Sequence, residues 1–79
     1  MFQIIDKVEI FDSALKHGVS KEDIFHALRN PIRLYGLGNE VEMLIGAARN
    51  GSLLEIGIAD KTRIIHAMKA RSKYTRCLK

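Results

Sequence analysis

The side chains of this chain that are best suited to catalysis are cations and histidines, and they occur in two parts of the sequence. Lys16 and His17 are adjacent in the first part of the chain, and a second series near the C-terminal end contains Arg63, His66, Lys69, Arg71, Lys73 and Arg76. Cleavage of RNA by its own 2′-hydroxyl needs a proton acceptor, a proton donor and positive charge at the phosphate. Histidine, lysine and arginine supply these functions without a metal ion. These residue types therefore permit metal-independent ribonuclease chemistry, although a simple binding surface has the same composition.

Other common chemistries find no support in the sequence. Gly36-Leu37-Gly38 is too short for a dinucleotide-binding loop. The three histidines lack metal-ligand spacing, and the single cysteine, Cys77, allows neither an internal disulfide nor a cysteine-based zinc site. The sequence therefore predicts no metal and no cofactor, and it fits a reducing cytoplasm.

The positive charge is concentrated at one end of the chain. The net charge of the 79 residues is +4, yet residues 61–79 contain seven lysines and arginines and no acid, whereas all nine acids lie in residues 1–60. Such a basic block favours a polyanion such as RNA, or an acidic protein, as the partner. No apolar run approaches the roughly 20 residues that span a bilayer, so no membrane association is predicted.

The elements that must position these side chains follow from hydrophobic periodicity. Ile4, Val8, Phe11 and Leu15 recur at helical spacing and predict a first helix that ends near Gly18. A second helix is predicted to begin after the N-cap Ser20, with Asp23 three residues later, and to end before Pro31. Alternating apolar residues then predict strands over 41–47, 53–59 and 63–68, with a hairpin turn at Asn50-Gly51.

Two segments add to this arrangement. Residues 32–35 are a possible edge strand, and residues 70–78 are predicted to form a basic C-terminal helix. The sequence thus predicts one α+β domain over residues 1–79, with two N-terminal helices, an antiparallel meander of three or four strands and a C-terminal helix. A chain this short buries only about 60% of its unfolded surface, so a partner or a homodimer interface is a further expectation.

The order of these motifs resembles the BrnT family of bacterial toxins. The resemblance is carried by Lys16-His17-Gly18-Val19-Ser20 with acids after it, by Asn30-Pro31, by the Asn50-Gly51 hairpin, and by Arg63-Ile64-Ile65-His66-Ala67 with its basic tail. It covers roughly residues 14–75. It implies a RelE-like fold, a ribonuclease that inhibits translation, and a cognate antitoxin as protein partner. The chain departs from the family pattern where a serine is replaced by His66 and an arginine by Met68.

The resemblance and the residue types together suggest roles within the site. Arg63 is predicted to clamp the phosphate, and His66 or His17 to carry the proton. Lys16, Lys69 and Arg71 are predicted to give electrostatic support, and Lys73 and Arg76 to extend RNA binding. On a regular strand Arg63 and His66 would lie on opposite faces, and the sequence does not decide which face is inside.

Two other functions are open at this stage. The chain is alternatively a non-catalytic basic module that binds an acidic protein or RNA. The joint between the two predicted helices also resembles a helix-turn-helix, but Glu22 and Asp23 at the start of the second helix would meet DNA phosphates, which disfavours DNA binding.

Overall fold

A computed structural model describes residues 8–76 as an α+β domain built on a five-stranded mixed sheet. The strands are β1 (Glu9–Ile10), β2 (Pro31–Gly38), β3 (Val41–Ala47), β4 (Leu53–Ala59) and β5 (Arg63–Lys69). A single turn of 3-10 helix (Asp12–Ala14) follows β1. The helices are α1 (Lys21–Arg29) and a one-turn α2 (Ser72–Thr75). The order across the sheet is β1-β5-β4-β3-β2, with β1 parallel to β5 and all other neighbours antiparallel.

The prediction of two N-terminal helices followed by an antiparallel meander is wrong. Within the described residues, the first predicted helix is replaced by β1 and the 3-10 turn. Glu9 N–H donates to the Thr62 carbonyl (2.8 Å), and Phe11 N–H donates to the Ile64 carbonyl (2.9 Å). The branched and aromatic residues of this segment suit a strand, and the open edge of β5 offers hydrogen-bond partners that helical periodicity cannot reveal. Ile4, on which the periodicity also depended, lies outside the described residues.

The predicted C-terminal helix is much shorter than expected. Only Ser72–Thr75 form α2, instead of residues 70–78, and residues 77–79 lie outside the described range. The chain turns at Ala70, whose N–H donates to the Leu53 carbonyl (2.9 Å), and α2 then lies over the sheet. Tyr74 fixes it there, because the Tyr74 ring lies 5.5 Å from that of Tyr35 and its carbonyl accepts from the Tyr35 hydroxyl (3.1 Å).

Helix α1 has the predicted beginning and end. Ser20 caps it, because its Oγ accepts a hydrogen bond from Asp23 N–H (3.1 Å), and Asn30 and Pro31 end it. Its buried residues Ile24, Ala27 and Leu28 pack on the centre of the sheet, in one core with residues of β3, β4 and β5: Leu44, Leu54, Ile56, Ile58, Ile64 and Ala67. The approach is close, since Gly46 of β3 lies directly under the Ala27 backbone.

The predicted strands 41–47 and 53–59 are confirmed, and β5 extends the third by one residue. The possible edge strand is also confirmed and is longer than expected. It forms β2, one of the two edge strands, with the large apolar side chains of Ile32, Leu34 and Leu37 about half exposed. The second face of the sheet, which α1 does not cover, carries Glu55, the centre of the candidate site.

Candidate functional site

A buried carboxylate is the centre of this site. Glu55 lies in the middle of β4 and is fully buried, although it is the one acid in an apolar strand. Its oxygens accept hydrogen bonds from the Arg71 backbone N–H (2.9 Å) and from Arg71 Nε (3.1 Å) and Nη2 (2.8 Å). His66 Nε2 lies 2.9 Å from the same carboxylate. We call Glu55, His66, Arg71 and the neighbouring His17 the Glu55 cluster.

The electrostatics of the cluster keep Glu55 ionised. Burial alone would raise the pKa of Glu55, but the hydrogen bonds from Arg71 and His66 outweigh burial, so the pKa lies below its ordinary value. The same contact raises the pKa of Arg71, because the carboxylate stabilises the charged guanidinium. An ionised carboxylate only accepts hydrogen bonds, so His66 must donate from Nε2, which leaves Nδ1 of the neutral ring as an acceptor.

A bulge in β5 brings His66 to this face. Gly57 pairs with His66 and Ile58 with Ile64, so Ile65 is an extra residue on β5. Arg63, which pairs with Ala59, and His66 therefore lie on the same face, whereas on a regular strand they would lie on opposite faces. Gly57 allows the approach, since a Cβ there would lie 2.9 Å from His66 Cβ.

The second histidine comes from the segment before α1. The ring centroid of His17 lies 5.8 Å from that of His66, with the rings nearly perpendicular at 73°. The turn at Gly18, with φ of +83°, directs the chain from this contact into α1. Ser13 holds the preceding segment on β5, because its hydroxyl donates to the Ile65 carbonyl (2.7 Å). Two imidazoles at this distance can act as an acceptor and a donor toward one phosphate.

The predicted phosphate clamp is placed apart from the cluster. Arg63 begins β5, its guanidinium forms an ion pair with Asp60, and it lies 5.9 Å from the Phe11 ring centroid. Lys69 ends the same strand, about 20 Å from Arg63 at roughly 3.3 Å per residue. Arg63 and Lys69 therefore cannot contact the same phosphate.

The remaining predicted residues are Arg71, Lys16, Arg76 and Lys73, and they differ in their contacts. Arg71 belongs to it, with about half of its side chain exposed. Lys16 is exposed beside His17, and Arg76 is exposed after α2. The Lys73 ammonium lies 5.0 Å from the Tyr74 ring centroid. Among these cations, Arg71 is the one that the described hydrogen bonds tie to Glu55.

A cleft of about 280 Å³ opens next to His17. One wall is the junction before α1, and the other is the turn between β3 and β4. Its lining residues are His17, Gly18, Val19, Asp23, Ala48, Asn50, Ser52, Leu54 and Lys69. The carboxylate of Asp23 is engaged, because its Oδ1 accepts from the backbone N–H (3.1 Å) and Nε (2.9 Å) of Arg49. These hydrogen bonds lower the pKa of Asp23 and keep it ionised, so Arg49 balances its charge while Lys69 adds a cation to the cleft.

Within residues 8–76, no three His, Cys, Asp or Glu side chains are grouped so that they could hold a metal ion. Over the same residues, the helices lack the length and apolar character that a membrane crossing requires. A helix-turn-helix is not formed, because the segment before α1 is a 3-10 turn rather than a helix.

Comparisons with family models, curated proteins and solved structures give no match for this chain. The candidate function therefore depends on the chain's own residues and on the motif resemblance.

Glu55 was not among the predicted site residues, although the sequence contains a signal for it. Residues 53–59 read Leu-Leu-Glu-Ile-Gly-Ile-Ala, so apolar or small side chains occupy both faces of the strand. A strand of this kind is buried on both sides, and a lone acid in it must find partners inside the protein.

Proposed function

We propose that this protein is a metal-independent endoribonuclease and acts as the toxin of a toxin–antitoxin pair. The observation that carries the proposal is the pairing of His66, oriented by the buried carboxylate of Glu55, with His17 at 5.8 Å between ring centroids. A carboxylate that fixes the tautomer and the orientation of an imidazole is a frequent feature of general base catalysis.

The chemistry is a transesterification within the RNA. His66 Nδ1 accepts the proton of a ribose 2′-hydroxyl, and the 2′-oxygen attacks the adjacent phosphorus. The bond from phosphorus to the 5′-oxygen breaks, and a protonated His17 supplies the proton to this leaving oxygen. The products are a 2′,3′-cyclic phosphate and a 5′-hydroxyl. Glu55 contacts no substrate in this scheme and is a positioning residue.

Charge stabilisation comes from the cations around the cluster. The half-exposed guanidinium of Arg71 adjoins His66 through Glu55, and Lys69 adjoins His17 across the cleft. We assign to both cations the role of opposing the charge that develops on the phosphate. Arg63 would first have to leave Asp60, so we assign it a contact with the RNA strand farther from the reacting bond.

The test of catalysis is incubation of purified protein with a 5′-labelled single-stranded RNA that contains all four bases, in the presence of EDTA. We expect fragments that end in a 2′,3′-cyclic phosphate, and a decrease of about 100-fold or more in cleavage for His66→Ala and His17→Ala. His26→Gln is the matched control, because His26 lies on α1 and bonds the Ala47 carbonyl instead. Circular dichroism establishes that each variant is folded. Equal cleavage by all three variants would contradict the assignment.

The toxin proposal has a separate test in cells. Expression of the chain without its neighbouring genes should arrest growth with loss of RNA, and His66→Ala should relieve the arrest. Coexpression of the protein encoded beside it should restore growth and copurify with the chain, as expected for an antitoxin. Normal growth at good soluble expression would exclude a toxin.

A second function, non-catalytic binding of an acidic protein or RNA, has one observation in its favour. Two of the cations predicted to act on the RNA, Arg63 and Arg71, are already paired with carboxylates of this chain. This function predicts RNA binding that weakens steeply with salt and no fragments after long incubation. The cleavage assay therefore distinguishes the two functions.

A further inference from the structure

The cleft beside His17 has an apolar floor and a polar rim. Ala48 and Leu54, which belong to the hydrophobic core, and the half-buried Val19 form its base. The exposed Asn50, Ser52 and Lys69 form its polar rim, together with Asp23, which Arg49 already engages. A bare phosphate would gain nothing from the apolar floor. A flat heteroaromatic ring would cover the floor and present its edge to the polar rim.

The position of the cleft matches this occupant. His17 lines the cleft and also contacts the His66 ring, so a nucleotide whose phosphate lies at the two histidines has its base or a neighbouring base within reach of the cleft. The cleft and the Glu55 cluster therefore share the His17 side chain.

The hydrogen-bonding groups of the rim select among bases. Asn50 Oδ1 already accepts the backbone N–H of Ser52 (2.9 Å), which directs the amide NH₂ to act as the donor. Lys69 is a donor only. Recognition of adenine by asparagine uses the amide oxygen as well as the nitrogen. The donors of Asn50 and Lys69 instead fit a base edge with a carbonyl acceptor at O4 of uracil or O6 of guanine.

We propose that this cleft binds a keto-bearing nucleobase, uracil or guanine, of the RNA strand, and that Asn50 is the specificity-determining residue; this inference rests on the proposed function. Cleavage should accordingly occur beside uracil or guanine in preference to adenine.

The experiment measures binding without cleavage. Ribonucleoside 3′-monophosphates of uracil, guanine and adenine, and inorganic phosphate alone, are titrated into the ¹⁵N-labelled full chain and followed by NMR. We expect the amides of Gly18, Val19 and Ser52 to shift, with affinity about tenfold higher for the uracil and guanine nucleotides than for the adenine nucleotide. Asn50→Asp keeps the oxygen that accepts from Ser52 but removes the donor, and it should reduce the preference to less than twofold. Asn39→Asp, in the turn between β2 and β3, is the matched control and should leave it unchanged.

The outcomes separate the inference from the function on which it rests. Equal affinity for the three nucleotides, or a preference that survives Asn50→Asp, overturns the inference. Inorganic phosphate that reproduces the nucleotide shifts also overturns it, because the cleft would then be an anion site. A keto preference that Asn50→Asp abolishes supports base recognition even if the chain fails to cleave RNA, in which case only the catalytic proposal fails.

Discussion

Replacement of Glu55 by glutamine is the sharpest test of how the sheet and the candidate site depend on each other. The substitution keeps size and shape and removes the charge. Glutamine Oε1 can still accept from Arg71, and its amide can donate to His66 if the imidazole changes tautomer. What is lost is the charged part of the hydrogen bonds at a fully buried position.

The size of the effect follows from these contacts. Hydrogen bonds to charged groups contribute about 1.5–3 kcal/mol each, but about half of the Arg71 side chain is exposed and water competes for it. We therefore expect Glu55→Gln to lower the free energy of unfolding at pH 7 by about 1–2 kcal/mol. For a domain of this size that corresponds to a decrease in Tm of roughly 5–15 °C.

The pH dependence gives the sign of the effect. The pKa of Glu55 is lower in the folded protein than its ordinary value of 4.5. Its contribution to stability is therefore complete above pH 4.5 and is lost as the pH falls through the folded pKa. The difference in unfolding free energy between the parent and Glu55→Gln should be constant from pH 7 to about pH 5 and should decrease at lower pH.

Urea denaturation followed by circular dichroism at a series of pH values measures this difference. Glu42→Gln is the matched control, because Glu42 lies on the adjacent strand. Its Oε1 is 3.6 Å from Nζ of Lys61, whose side chain is mostly exposed, so this ion pair contributes little. A Glu55→Gln variant that is as stable as Glu42→Gln, or whose deficit does not change below pH 4.5, would refute the assignment of an ionised, internally paired carboxylate. In the cleavage assay, the same variant should lower kcat more than it changes KM, since His66 loses its orientation.

Three further predictions concern the scaffold, and each is checked by Tm and by urea unfolding. Gly46→Ala should destabilise the domain by about 1–3 kcal/mol or prevent folding, because the new Cβ would lie only 2.9 Å from the carbonyl carbon of Ala27. Unchanged stability would mean that α1 lies farther from β3. Glu40→Gly should stabilise by about 0.5–1 kcal/mol, since Glu40 has φ of +63° and the change creates an Asn-Gly turn with Asn39; a loss of stability would contradict the left-handed turn. Ser20→Ala should cost about 1 kcal/mol through loss of the α1 cap, and no cost would show that the cap is not formed.

Local sequence signals were sufficient to predict α1 and the β3–β4 hairpin at the centre of the fold. The cap at Ser20 and the stop at Pro31 define α1 because both act within a few residues along the chain. The Asn50-Gly51 turn likewise defines the β3–β4 hairpin, since Gly51 takes the positive φ of +89° that the turn requires. These elements depend on neighbouring residues and needed no knowledge of the tertiary structure.

The N-terminal segment shows where such signals fail. Its apolar spacing fits a helix, but its conformation is decided by the free edge of β5, more than fifty residues away. The edge exists only once the sheet has assembled, so the residues near Glu9 carry no local signal for this pairing. A pairing of only two residues, Glu9–Ile10 with Arg63 and Ile64, is enough to convert the segment into a strand because the edge otherwise leaves hydrogen bonds unmade.

The bulge in β5 is a second feature that the sequence pattern could not reveal, and it decides which side chains of β5 share a face with Glu55. Strict alternation would place either Arg63 or His66 on the face that carries Glu55, and the sequence did not decide between them. One extra residue at Ile65 puts both on that face while Ile64 and Ala67 stay in the core. The imidazole then reaches the buried carboxylate, and Arg63 pairs with Asp60 at the end of the strand. Because of this single register shift, His66, the predicted proton carrier, reaches the buried acid that holds its ring in one orientation, while Arg63, the predicted phosphate clamp, is paired elsewhere.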